Sequence, residues 1–114
     1  MWIFSLDGML SIVRHRDYVN MFLVRSRSKG ILQRIFPEFN VIVMENADYR
    51  FRVLARDWEV LSRIMKESKE NLKIGYTNYK LACNMGEDPE FTNALGRVWE
   101  AMYDYQERLD SRDL

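Results

Sequence analysis

The chain has 114 residues, 47% of them hydrophobic and 30% charged, with three Trp, six Tyr and six Phe. These totals suit one domain, residues 1–114, with its own core, and they exclude the disordered class. The formal net charge is zero, so no whole-molecule field draws the chain to nucleic acid or acidic membranes, and the single cysteine, Cys83, excludes an intramolecular disulfide.

The neutrality hides an asymmetry. Residues 1–56 carry nine Lys/Arg against five Asp/Glu, net +4, and residues 57–114 carry eight against twelve, net −4. The two halves can neutralise each other, or they can leave one basic and one acidic face.

"WIFSLDGMLSIV" reads as a hairpin, because two β-prone runs flank Asp7-Gly8, a strong turn signal. The segment lacks a basic start and is broken by Asp7, so it does not read as a signal peptide. No stretch reaches the roughly 18 consecutive apolar residues of a membrane helix. The expected compartment is the cytoplasm. "VNMFLVRSRS" reads as a third strand. Ser28 is then placed to cap a short helix, "KGILQRIF", ended by Pro37.

"NVIVM" and "YRFRVLA" read as a strand pair joined by the turn-rich "ENAD". Asp57 is the expected N-cap of a helix through about residue 73, with Leu61, Ile64, Met65, Ser68 and Leu72 facing inward. A short helix over about 78–85 is expected to close at Gly86. Asp88-Pro89 then starts the best-patterned helix, whose stripe is Phe91, Leu95, Val98, Trp99, Met102 and Leu109, with Trp99 expected in the core. The order β-β-β-α-β-β-α-α-α predicts an α+β fold: an antiparallel sheet backed by helices. The specific expectation is a ferredoxin-like core with an N-terminal β-hairpin and a C-terminal helix.

Two strands carry paired arginines. Strand side chains alternate with period two. Tyr49, Phe51 and Val53 should therefore face the helices, while Arg50 and Arg52 face away. Likewise Phe22, Val24 and Ser26 oppose Leu23, Arg25 and Arg27. Four guanidinium groups would share the far face. Arg suits forked recognition of phosphate or carboxylate. Alternatively these arginines are solvated, or pair with Glu100, Asp104 and Glu107 at helical spacing on the last helix. "GYTNYK" adds Tyr76, Asn78 and Lys80, an aromatic and polar set able to stack on a base and hydrogen-bond it. Half-buried tyrosines closing the core edge are the plainer reading.

Other chemistries find no residues to carry them. The chain has no Gly-rich phosphate loop, no G-x-S-x-G, no H-E-x-x-H and no C-x-x-C. One His and one Cys leave few nucleophile–base pairs and no metal set, since zinc takes three or four ligands. No cofactor is expected.

The opening "MWIFSLDGMLSIV", then "VRSR", "DYRFRV", "YTNYK" and the late "RVWEAMYDYQ" together resemble the signature of a small bacterial protein family without an assigned activity. The resemblance spans nearly the whole chain. Carried over by position, it picks out Trp2, Gly8, Ser11, Arg25, Arg27, Asp48, Tyr49, Arg52, Tyr76, Asn78, Tyr79 and Lys80. Met9-Leu10 stands where the family has Phe-Phe, and Tyr79 where it has Phe. The resemblance implies that the arginine strands and the "YTNYK" segment share a surface.

Three functions follow for testing. The first is a non-enzymatic binding module that recognises an anionic ligand, such as a nucleotide, a nucleic acid or an acidic protein surface. Its residues would be Arg25, Arg27, Arg50, Arg52, Tyr76, Asn78 and Lys80. The second is a protein–protein adaptor or inhibitor, or a homodimer, using exposed methionines such as Met9, Met21 and Met44. The third is an enzyme acting on a small phosphorylated substrate.

Overall fold

The structure, a computed structural model, describes residues 1–5, 8–73 and 88–113. Five strands form one sheet: β1 (Trp2–Ser5), β2 (Gly8–Arg14), β3 (Met21–Ser26), β4 (Ile42–Val43) and β5 (Phe51–Arg56). Three described helices accompany them: α1 (Lys29–Ile35), α2 (Asp57–Leu72) and α3 (Pro89–Asp113). The sheet order is β1-β2-β3-β5-β4, and every neighbouring pair is antiparallel. The α+β class with helices backing an antiparallel sheet is therefore the observed one. The expected helix over 78–85, and Tyr76, Asn78, Lys80 and Cys83, lie outside the described residues.

The topology departs from the expected ferredoxin-like core in one place. β5 lies between β3 and β4, so β3-α1-β4 is a split β-α-β unit. A full ferredoxin-like order adds a strand after the second helix. Here the position on the free side of β3 is taken instead by β2, which precedes it in the chain.

Period-two alternation selects the core. Leu10, Ile12, Val24, Val53 and Ala55 project from the sheet onto Ile31, Leu32, Ile35 and Phe36 of the α1 region and Val60 of α2, all buried. Ile3, Phe22, Phe51 and Ile64 pack at the margin of this cluster. Full burial of side chains of this size stabilises by roughly 1.5–3 kcal/mol each. Gly8 has a packing role rather than the expected turn role. Ser5 pairs with Gly8, so Gly8 already belongs to β2. A Cβ on Gly8 would lie 2.6 Å from Ile31 Cδ1 and 3.2 Å from Ile31 Cβ, so glycine is what lets α1 approach β2.

Two helices turn differently from expectation. Arg56, not Asp57, is the N-cap residue of α2, and Asp57 Oδ1 accepts a hydrogen bond from its neighbour Trp58 N at 2.6 Å. The inward face of α2 is Val60, Arg63, Ile64, Glu67, Ser68 and Asn71, while Leu61, Met65 and Leu72 are exposed. The spaced apolar residues are a genuine amphipathic signal, but Val60 sits where the sheet is. In α3, Asp88 caps as expected, its Oδ1 accepting from Phe91 N at 3.1 Å. Leu95 is buried, yet Trp99 is 68% exposed and stacked on Tyr103, not in the core. The Cα radius of gyration is 16.0 Å, against about 13 Å for a compact domain of this length.

Two arginines bind α2 to the rest. Arg63 Nη1 donates to the Ile35 carbonyl at the end of α1 (2.9 Å), pairs with Glu38 and Glu59, and lies over the rings of Phe36 and Phe39. Arg34 makes a forked pair with Glu67, at 3.0 and 2.6 Å. That pair holds the Glu67 carboxyl below its ordinary 4.5, outweighing partial burial, with help from the Asn71 amide. A depressed carboxyl contributes stability above its unfolded value and loses it as pH falls through the folded one. Glu67→Gln should therefore cost roughly 0.5–1 kcal/mol near neutrality, discounted for the exposure of Arg34. The cost should vanish in acid, well below 4.5. Urea unfolding at several pH values checks this; an equal loss at all pH values would contradict it.

Candidate functional site

The register places one row of side chains across the far face of the sheet. Trp2 pairs with Ser11, Ser11 with Arg25, Arg25 with Arg52, and Arg52 with Ile42. Directly paired residues project to the same side of a sheet. Two arginines thus stand opposite each other on adjacent strands, an arrangement unfavourable for like charges without partners. A second row, Phe4 and Met9, runs beside the first, and Arg27 Nη1 lies 3.7 Å from Met9 Sδ.

Tyr49 organises the cluster. Its ring is buried, and the Arg25 and Arg27 guanidinium carbons lie 4.7 and 4.4 Å from its centroid. Such stacking is worth on the order of 0.5–2 kcal/mol per cation, more as water is removed. Arg25 Nη2 also donates to Ser11 Oγ at 2.7 Å, which accounts for a fully buried serine on this face. Arg25 Nε is buried and has no hydrogen-bond partner among the described residues. Arg52 Nε donates to the Tyr49 carbonyl at 3.2 Å, and its Nη2 lies 3.9 Å from Asp48 Oδ1. The Arg52 side chain is only 17% exposed, whereas Asp48 is 71% exposed.

The electrostatic balance is uneven. Among the described residues, three guanidinium groups, of Arg25, Arg27 and Arg52, meet one carboxylate, Asp48, which is held loosely at the rim. The acidic helix does not supply the difference: Glu100, Asp104 and Glu107 are all exposed. The exposed rings of Trp2 and Phe4 border the cluster on the β1 side.

Of the residues expected at the site, Arg25, Arg27 and Arg52 come together. Arg50 does not. It precedes β5, is exposed, and lies 3.6 Å from Glu45 in the β4–β5 connection. Tyr76, Asn78 and Lys80 lie outside the described residues. Tyr49 corrects the register expectation. Strand alternation placed it against the helices, but β5 begins only at Phe51, and the bend at 48–49 turns the ring to the arginine side. Strand alternation does not extend through a bend. Asp48 is the local cause, since its Oδ1 accepts from Tyr49 N at 2.9 Å.

Trp2, Ser11, Arg25, Arg27, Asp48, Tyr49 and Arg52 all belong to this face or its rim. No protein-family profile matches the chain, and neither a curated protein nor a solved structure is significantly similar to it.

Two other features are less apt. A concavity of about 280 Å³ opens on the helix side among Ile3, Leu10, Ile64, Glu67 and Asn71, but its carboxylate is already engaged by Arg34. Among the described residues, no group of three or more His, Cys, Asp or Glu could hold a metal, and no helix is long and apolar enough to cross a membrane.

The geometry ranks the arginines. Arg25→Ala removes a bond to a buried hydroxyl and cover from a buried ring, and should cost about 1–2 kcal/mol. Arg27→Ala removes an exposed side chain stacked on the same ring, with no bond to a buried group, and should cost about 0.5 kcal/mol. Chemical denaturation of the two variants checks this; equal costs would contradict the arrangement around Tyr49.

Proposed function

We propose that the chain is a non-enzymatic binding module whose sheet face takes an anionic group, with Arg25, Arg27 and Arg52 as the recognising side chains. The observation that carries this reading is the Tyr49-centred cluster, in which three cations have one loosely held carboxylate and Arg25 Nε has no partner among the described residues. A phosphate or carboxylate oxygen is the natural complement of such an array. Tyr49 presets two of the guanidinium groups, which lowers the entropic cost of gathering them around a ligand. Trp2 and Phe4, exposed beside the cluster, suit a ligand with a planar ring attached to its anion, so nucleotides and single-stranded nucleic acid are the favoured classes. In this reading Arg50 plays no part, and Tyr76, Asn78 and Lys80 remain proposed flanking residues on the strength of the signature. The same reading takes the sheet as a rearranged ferredoxin-like core, in a bacterial cytoplasmic protein.

Titration calorimetry with inorganic phosphate, ATP and a short single-stranded oligonucleotide, at about 50 mM salt and above, tests it. Saturable binding of at least one phosphate probe is expected. Arg27→Ala with Arg52→Ala should weaken it by roughly tenfold or more and flatten the salt dependence by about one unit for each phosphate no longer neutralised. No binding of any probe, or unchanged binding by the double variant, would overturn the proposal.

A further inference from the structure

Two helices expose apolar seams that none of the described residues covers. On α2, Trp58, Leu61, Met65 and Leu72 follow a 3-4-7 spacing and are at least half exposed. On α3, Trp99, Met102 and Tyr103 form a contiguous patch exposed by 47% or more. With each large side chain carrying roughly 200 Å², these seven expose on the order of 800 Å² per copy, the share each partner contributes to a standard protein interface. The two seams do not cover each other within one chain, since both are open at once.

The charges beside the seams are complementary. Lys66, Lys69 and Lys73 line one flank of the α2 seam, all exposed, with Lys73 also 3.2 Å from Glu70. Glu100, Asp104 and Glu107 line one flank of the α3 patch, also exposed. At 100° per residue both charged flanks lie on the same rotational side of their seams, so they meet only if the helices run antiparallel. In that orientation one register sets Lys73 against Glu100, Lys69 against Asp104 and Lys66 against Glu107. The same register brings Leu72 beside Met102 and Met65 beside Leu109, with Trp58 and Trp99 at the outer ends of the pairing.

We infer that α2 of one copy docks antiparallel against α3 of a second copy. The pairing is made twice, about a two-fold axis, giving a closed dimer. Apolar seams supply the affinity, and the lysine–carboxylate ladder sets direction and register, as flanking charges do in coiled coils. This surface differs from the methionine positions expected for a dimer: Met9 and Met21 are half-buried, and only Met44 of the three is exposed.

Sedimentation equilibrium of the full chain across a wide concentration range tests the inference. A monomer–dimer equilibrium is expected for the parent. Met102→Glu should raise the dimer dissociation constant by on the order of 30-fold or more, as a charge set against the partner's apolar seam does, with unchanged circular dichroism because Met102 is 59% exposed and outside the core. Lys66→Glu with Lys69→Glu should weaken the dimer, and adding Asp104→Lys with Glu107→Lys should restore it. A parent that stays monomeric, a dimer indifferent to Met102→Glu, or a reversal that is not rescued would overturn it.

Discussion

The antiparallel pairing of β3 with β5 is the constraint on which the rest depends. Val24 opposes Val53, and one step along Arg25 opposes Arg52. Strand side chains have a period of two, so a slip of one residue would carry the arginines into the core and the valines into the cluster. Both faces therefore follow from a single register. The helix side anchors it, because Val24 and Val53 are completely buried against α1 and α2. The arginine side has to tolerate it, since two like charges are fixed as cross-strand neighbours. It does so by sending Arg25 toward Ser11 and the Tyr49 ring, and Arg52 toward the Tyr49 carbonyl and Asp48.

The arginines of this chain consequently fall into two kinds. Arg34 and Arg63 are matched one for one or better by carboxylates, and Arg63 also by a helix-end carbonyl. They bind elements together, and nothing is left over for a ligand. Arg25, Arg27 and Arg52 are held by an aromatic ring, a hydroxyl and a backbone carbonyl, which fix position without neutralising charge. Positioned but unneutralised cations are what anion recognition needs, and a fold seeking only stability would favour the first kind.

The sheet was legible in the sequence because strand alternation is local: "MFLVRS" and "FRVLAR" declare their two faces without reference to the rest of the chain. The arginine pair at 25 and 52 followed from that alone. The helices were less legible because amphipathicity fixes a stripe, not the surface it meets. In α2, Leu61 and Met65 fit a helical stripe as well as Val60 and Ile64 do, and only the tertiary position of the sheet decides between them. In α3 a strong stripe announced a core helix, but Trp99 and Met102 are exposed, as a stripe for another molecule would be. At the site, the side taken by the Tyr49 ring is not legible from period two, because strand alternation does not carry through a bend. The Asp48-Tyr49 step, after "ENA", held the signal, since Asp at a turn hydrogen-bonds the backbone just beyond it.

Arg25 offers the most direct measurement, because its Nε–H is buried and uncommitted among the described residues. In ¹⁵N-labelled protein its arginine Nε–Hε resonance can be followed while inorganic phosphate, and separately chloride at matched ionic strength, is added. A saturable shift of the Arg25 resonance with phosphate, shared by Arg52, absent with chloride and absent from the Arg34 and Arg63 resonances, is the predicted result. Equal, unsaturated drift of all four resonances in both salts, up to the roughly millimolar range where weak phosphate sites fill, would show that the cluster serves the fold alone.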